Sequence, residues 1–341
     1  MKRPFRTLLG AAATFALAFS ALAQKTELLV YTALETDQLK AYTESFNKSN
    51  PNIDLKFVRD STGVIIAKLL AEKANPQADV VLGVAASGME IFKAEGMLAP
   101  YTPAGFDKLN ATYSDKARPP AWVGQDVYAA AVCYNTVEGQ KRGIPKPETW
   151  KDLTKPVYKG QITMPNPASS GTGYFDVTAW LQLWGEAEGW KYMDALHENI
   201  AQYTHSGSKP CRQSGAGEFV VGISFEYRAN DVKKKGAPVE IVFPKEGLGY
   251  DIEGSGIMKG TKKMDAAKKL MDWVASKDAN EAYAKNFAIV AYPGVATKLE
   301  YIPSADQLEK LLIKNDFAFA AKNRDKILTE WQKRYAVKTE K

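Results

Sequence analysis

Residues 161–174 read Gln-Ile-Thr-Met-Pro-Asn-Pro-Ala-Ser-Ser-Gly-Thr-Gly-Tyr, a hydroxyl- and glycine-rich turn between a predicted strand and a predicted helix. Such a turn points backbone N–H groups and hydroxyls at one spot, where the positive end of the helix dipole favours an anion. A shorter version occurs upstream, where the apolar run 53–58 gives way to Asp60-Ser61-Thr62-Gly63 and then to a helical pattern over 64–73. Helix capping explains Ser and Thr at either turn alone. It does not require the pairing, so Ser61, Thr62, Gly63, Ser169, Ser170, Gly171 and Thr172 are candidate donors of a two-sided anion clamp.

The chemistry that could accompany such a clamp is narrow. A serine nucleophile at Ser169 or Ser170 needs a base, and the chain holds two histidines, His197 in a helical pattern and His205 in a turn, neither with catalytic or metal-ligand spacing. Both are expected to be packing or surface residues. The Gly-x-Ser-x-Gly elbow is absent, since 169–173 reads Ser-Ser-Gly-Thr-Gly, and no Gly-Lys-Ser/Thr follows the glycines as a P-loop demands. No cluster of Asp and His suggests a metallohydrolase. A binding protein without catalysis or cofactor is the expectation, and a secreted hydrolase is an alternative.

The remaining composition bounds the class. Residues 1–23 carry Lys2, Arg3 and Arg6, an apolar stretch from Leu8, and Ala21-Leu22-Ala23, the anatomy of a secretory signal peptide cut before Gln24. No cysteine lies near that cut, and no second long apolar run follows, so a soluble, exported protein is expected. Removing three cations and no acidic residue takes the formal net charge from +6 to +3, and no basic stripe with interleaved aromatics suggests nucleic acid. About 318 mature residues exceed what one core usually organises, so two domains are the prior. Cys133 and Cys211 would sit in an oxidising compartment. Whether they pair is open at this level.

Strands alternate with amphipathic helices along the chain, the rhythm of a doubly wound α/β fold. A strand over 27–31 precedes a helix with Leu39, Tyr42 and Phe46 at helical spacing, stopped by Asn50-Pro51; strand 53–58, helix 64–74 and strand 78–84 follow. Ligands on such sheets collect at the carboxyl ends of strands, where Thr32, Ala33, Leu34, Glu35, Ser61, Thr62, Gly63, Ala86 and Ser87 fall. The apolar strand 127–135 and the Pro-rich stretch after it read as a crossover into a second lobe, with strand 160–164, helices 174–184 and 190–198, and strands 220–227 and 238–243. A helix over 264–274 returns the chain to the first lobe. The expected partition is 24–132 with 254–300, then 133–253, with helices over 301–341 unassigned; crossings at 133–135 and 253–256 are hinge candidates.

In this order of segments the chain resembles the type II periplasmic solute-binding proteins of ABC importers, in the branch that includes ferric-iron-binding proteins. The resemblance rests on Val30-Tyr31-Thr32-Ala33-Leu34-Glu35, Ala78-Asp79-Val80-Val81, Tyr134-Asn135-Thr136, Pro147-Glu148-Thr149-Trp150-Lys151-Asp152-Leu153, the turn at 165–174, and Gly217-Glu218-Phe219-Val220-Val221-Gly222-Ile223. Within the branch, Arg59-Asp60-Ser61-Thr62-Gly63 and Phe225-Glu226-Tyr227-Arg228 look most like the proteins assigned to 2-aminoethylphosphonate binding. The resemblance implies a two-lobed α/β fold with the ligand in the cleft between lobes, a membrane permease as partner, and action as a monomer. Iron-binding members present two consecutive tyrosines where this chain has Glu226-Tyr227, so ferric iron is the alternative and a phosphonate zwitterion the expectation. Its ammonium would need a carboxylate, for which Glu35 and Glu226 are candidates. Glu226 is preferred because Phe225 and Tyr227 offer ring faces for a cation.

Overall fold

The computed structural model describes residues 25–340, so the signal peptide expected over 1–23 lies outside the described residues. The first part of the chain follows the expected rhythm: β1 (Thr26–Thr32), α1 (Thr36–Ser49), β2 (Ile53–Arg59), α2 (Thr62–Ala71), β3 (Val80–Ala85), α3 (Ala86–Ala94) and β4 (Leu98–Ala99). The chain continues through β5 (Val123–Asn135), α4 (Thr136–Arg142), β6 (Ile162–Pro165), α5 (Gly171–Asn199), β7 (Ile200–Thr204) and α6 (Lys209–Gly215). Next come β8 (Val221–Phe225), α7 (Glu226–Lys234), β9 (Val239–Val242) and β10 (Tyr250–Met258). The last elements are α8 (Met264–Val274), α9 (Lys277–Tyr283), β11 (Ile289–Val290), α10 (Ala305–Glu309) and α11 (Phe317–Tyr335).

These strands form two lobes joined through β5, in the order β2-β1-β3-β10-β5-β8-β6-β7. In the first lobe β2, β1 and β3 are parallel, as the continuous apolar run of β3 predicts, and β10 closes the sheet antiparallel to β3. In the second, β6 runs parallel to β7 and β8, and β8 is antiparallel to β5. Every residue of β5 is buried. Its partner changes along its length: Ala129 still faces Tyr250 of β10, whereas Ala130 faces Phe225 of β8. The crossing expected at 133–135 is therefore four residues earlier, and 133–135 lie well inside the second sheet.

Helix faces follow the sequence periodicity. Leu39, Tyr42 and Phe46 bury one side of α1, where Tyr42 meets Tyr283 edge-on at 5.0 Å and Phe46 meets Trp273 at 6.0 Å between ring centroids. A fully buried aromatic of this kind contributes about 1.5–3 kcal/mol by burial alone. The two helices expected over 174–184 and 190–198 are one helical run, α5, broken at Gly185, where φ is 79°; only glycine takes that conformation without cost. The strand expected over 220–227 stops at Phe225, and Glu226 and Tyr227 open α7 instead. Helix α11 packs against both α3 and α5, so the unassigned C-terminal segment belongs to neither lobe alone. Cys133 on β5 and Cys211 on α6 form a disulfide with a Cα–Cα distance of 5.4 Å.

Candidate functional site

The strand ends of the first lobe and the start of α5 in the second enclose a polar cavity of about 40 Å³. Ser61 and Thr62 begin α2 on one side, and Ser170, Gly171 and Thr172 begin α5 on the other. The two helix N-termini thus converge on the same space. Direct backbone contact closes them together: the Gly63 N–H donates to the Ser169 carbonyl at 2.8 Å. Both glycines at this junction are required by proximity. A Cβ on Gly63 would lie 2.0 Å from the Ala168 oxygen, and one on Gly171 would lie 2.7 Å from Thr62 Oγ1.

The hydroxyls of the two turns are used differently. Ser170 accepts from the Gly173 N–H at 3.3 Å and so caps α5. Ser61 occupies the N-cap of α2 but makes no side-chain cap bond, and capping therefore does not account for it. Ser169 faces away from the cavity, its Oγ donating to the His205 carbonyl at 2.8 Å. His205 is not a bystander: its Nε2 stands 3.0 Å from Asp60 Oδ1 across the cleft. Burial would raise the Asp60 pKa, but the His205 hydrogen bond and the Ser61 N–H outweigh it and hold the carboxyl below its ordinary value. His197 is the packing residue expected, stacked on Tyr203 with Nδ1 2.9 Å from its hydroxyl.

Of the other predicted residues, Ala33 and Glu35 line the cavity. Glu35 does so with its charge already matched, by Arg228 at 3.1 Å, Arg59 at 3.6 Å and Arg212 at 3.7 Å, and by the Ser208 hydroxyl. Arg228 is itself buried and also holds Asp37 and Asp231, so this group ties α1 to α7 across the cleft. Thr32 and Leu34 lie beneath: Thr32 Oγ1 accepts from the Leu34 N–H, and the Leu34 carbonyl accepts from Arg59 Nε. Ala86 and Ser87 are displaced from the wall by Ala85, and Ser87 Oγ donates to Asp251 Oδ2 at 2.7 Å.

Glu226, the preferred partner for an ammonium, does not reach the cavity wall. Its side chain is wholly buried, and Oε2 accepts from the Ala129 N–H at 2.8 Å. Ala129 sits where β5 changes sheets, so its amide has no strand partner and the carboxyl replaces one. Burial pushes the Glu226 pKa up to about 8, against the pull of the N–H donors. Tyr227 packs on Phe287, with the Arg228 guanidinium 5.0 Å from its ring centroid, and is also off the wall. A second carboxyl lines the cavity beside Glu35, that of Glu253 of β10, and Arg59, Ala85, Tyr128, Phe225, Gly83 and Gly207 complete the lining. Among the described residues no group of three or more His, Cys, Asp or Glu is arranged to hold a metal ion.

The family is decided by residues 75–321, which match the pattern of the bacterial extracellular solute-binding proteins. The chain belongs to that family. A Haemophilus influenzae protein without an assigned role is 34% identical, with 90% of each chain covered. A Salmonella typhimurium protein provisionally named for periplasmic 2-aminoethylphosphonate binding is 25% identical over 69% of this chain and 68% of its own. The periplasmic binding protein AfuA of Actinobacillus pleuropneumoniae, solved with fructose 6-phosphate bound, superposes with a TM-score of 0.85 at 31% identity, covering 92% of this chain and 99% of that one. Iron-bound HitA of Pseudomonas aeruginosa shares the fold, with a TM-score of 0.74 at 17% identity, covering 89% of this chain and 99% of HitA. The type II periplasmic binding fold read from the sequence is thus the fold of this solute-binding protein. Among the described residues no helix is long and apolar enough to cross a membrane.

Proposed function

We propose that this solute-binding protein captures a small phosphonate, with 2-aminoethylphosphonate as the first candidate, and delivers it to the membrane permease of an ABC importer. The observation that carries the reading is the convergence of two helix N-termini on one polar cavity, with the Ser61 hydroxyl uncommitted to its own helix. Backbone N–H groups and hydroxyls at that point form charge-assisted hydrogen bonds to a phosphonate head at no cost in reorganisation. Closure of the two lobes on the ligand is the mechanism, with β5 and β10 as the connections that flex. The provisional name of the Salmonella relative supports the choice of phosphonate.

A phosphate ester is the second reading, favoured by the fructose 6-phosphate bound to the 31%-identical AfuA. The same turns would hold its phosphate. Ferric iron is disfavoured because Tyr227 is turned into the core and Glu226 is engaged by the Ala129 amide. Calorimetry tests the reading: 2-aminoethylphosphonate should bind at micromolar or tighter, roughly 8 kcal/mol or more. No heat and no thermal shift with that compound, alongside tight binding of ferric iron or fructose 6-phosphate, overturns it.

A further inference from the structure

The cavity that receives the helix N-termini also has a carboxyl in its wall, with the Arg59 guanidinium elsewhere in the same lining. Glu253 lines it, and behind Glu253 lie Asp126 of β5 and Glu226 of α7, all buried. None of the three takes part in an ion pair among the described residues, in contrast to Glu35 nearby, which has three guanidinium neighbours. Counted as carboxylates, both oxygens of Asp126, Oε2 of Glu253 and Oε1 of Glu226 are buried without a donor. Isolated buried carboxylates are too costly to persist without a proton or a cation. Asp126 and Glu253 are within hydrogen-bonding reach of each other; burial first, and then repulsion from Glu226, raises both above the usual carboxylate range, while the Asp126 hydrogen bond pulls Glu253 the other way. The groups around them are Tyr42 of α1, Tyr283 of α9, Tyr128 of β5, Asp251 of β10, and Glu35, none of which is a cation.

We propose that Asp126 and Glu253 share one proton, leave a single negative charge on Glu253 at the cavity wall, and thereby form the subsite that selects an ammonium group on the bound anion. The inference rests on the reading of the site as an anion cradle and adds what the other end of the ligand must be. A proton between the two carboxyls supplies the donor that the pair otherwise lacks. Arg59, on the same wall, is paired with Glu35 at 3.6 Å, so the charge left on Glu253 is matched when the ligand carries a cation. The phosphonate head and the ammonium would then be read by different parts of the lining, one of helix N-termini and one of carboxyl oxygen.

The test compares 2-aminoethylphosphonate with ethylphosphonate, which lacks the nitrogen, by calorimetry on wild type, Glu253→Gln and Asp126→Asn. Wild type should favour the amine at least about tenfold, 1.4 kcal/mol. Glu253→Gln should erase that preference and leave ethylphosphonate binding unchanged. Asp126→Asn should keep it, because the amide N–H donates to Glu253 in place of the shared proton and the charge on the wall remains. Equal affinity of wild type for both compounds overturns this subsite while leaving the anion cradle intact, and so does an equal loss of preference in the two variants. Binding of neither compound overturns the phosphonate reading and the subsite with it. If fructose 6-phosphate binds and loses as much on Glu253→Gln as the amine does, the wall reads hydroxyls and the proposal fails.

Discussion

The two anion turns look alike in sequence and are built differently. The second-lobe turn is tied from behind: Ser170 caps its own helix, Ser169 reaches the His205 carbonyl, and the Tyr174 hydroxyl donates to the Ala320 carbonyl of α11 at 2.6 Å. Arg324 of α11 lies 4.4 Å from the Tyr174 ring centroid and, buried without an ion-pair partner among the described residues, approaches the Ala168 carbonyl at 3.5 Å. The first-lobe turn has fewer side-chain restraints: Asp60 accepts from the Ser61 N–H, the Asp60 N–H donates to the Thr32 carbonyl at 3.3 Å, and the other contacts cross the cleft. One turn is held within its own lobe and the other in larger part by contacts across the cleft. On the proposed closure, a rigid half and a closing half would keep the ordering cost of binding confined to one lobe.

The largest expected effect concerns the rigid half. The Cys133–Cys211 bridge closes a separation of 78 residues between β5 and α6, so replacing both cysteines by Ser should cost about 2–5 kcal/mol in denaturant unfolding. A loss below 1 kcal/mol would mean that the second lobe is not held by it. Gly63→Ala should be next, lowering ligand affinity by about 100-fold, roughly 2.7 kcal/mol, because its Cβ would meet the Ala168 oxygen where α2 abuts the second-lobe turn. An unchanged affinity would show that closure does not bring α2 against the turn.

Glu226→Gln asks what the crossing costs. The folded protein holds a proton on Glu226 up to about pH 8, which the unfolded chain releases near 4.5. Wild-type stability from this group is therefore present below 4.5 and is lost as pH rises towards 8, whereas the amide has no such slope. Thermal unfolding should show the variant gaining on wild type across that interval; parallel profiles would place the carboxyl in water. Ser170→Ala should lower both stability, by about 1 kcal/mol for the lost cap, and affinity. Ser61→Ala should lower affinity alone, and equal thermal shifts for the two would erase the distinction between the turns. The smallest effect belongs to Asp60: its depressed pKa means that the His205 latch is intact above the ordinary carboxylate range and lost as pH falls through the folded value. Affinity should decline at acid pH in wild type and less so in Asp60→Asn.

What was legible in the sequence was whatever repeats locally. Apolar runs marked β1, β2 and β3, and hydroxyl-glycine clusters marked both turns, because strand burial and helix initiation leave short-range patterns. Glu253 escaped since its strand contains Gly254-Ser255-Gly256, which reads as a loop, and since a buried carboxyl has no periodicity. Glu226 was misplaced because α7 begins directly after β8 with no spacer, which turned a strand-end carboxylate into a helix residue facing the β5 amide. The Glu35–Arg228 tie joins residues far apart in the chain. Nothing near either residue announces its partner.

The continuity of β5 has a mechanical consequence. Thirteen residues run unbroken from one sheet into the other, and the change of partner falls within the Ala129-Ala130-Ala131 stretch. A joint of this kind has no slack loop to absorb rotation; the lobes can part only by winding or unwinding a ribbon whose ladder bonds remain engaged on both sides. Small alanine side chains let that ribbon turn without steric catch, and Glu226 keeps its one unladdered amide from seeking water as it does so. The junction of the two sheets is thus a continuous ribbon rather than a loop.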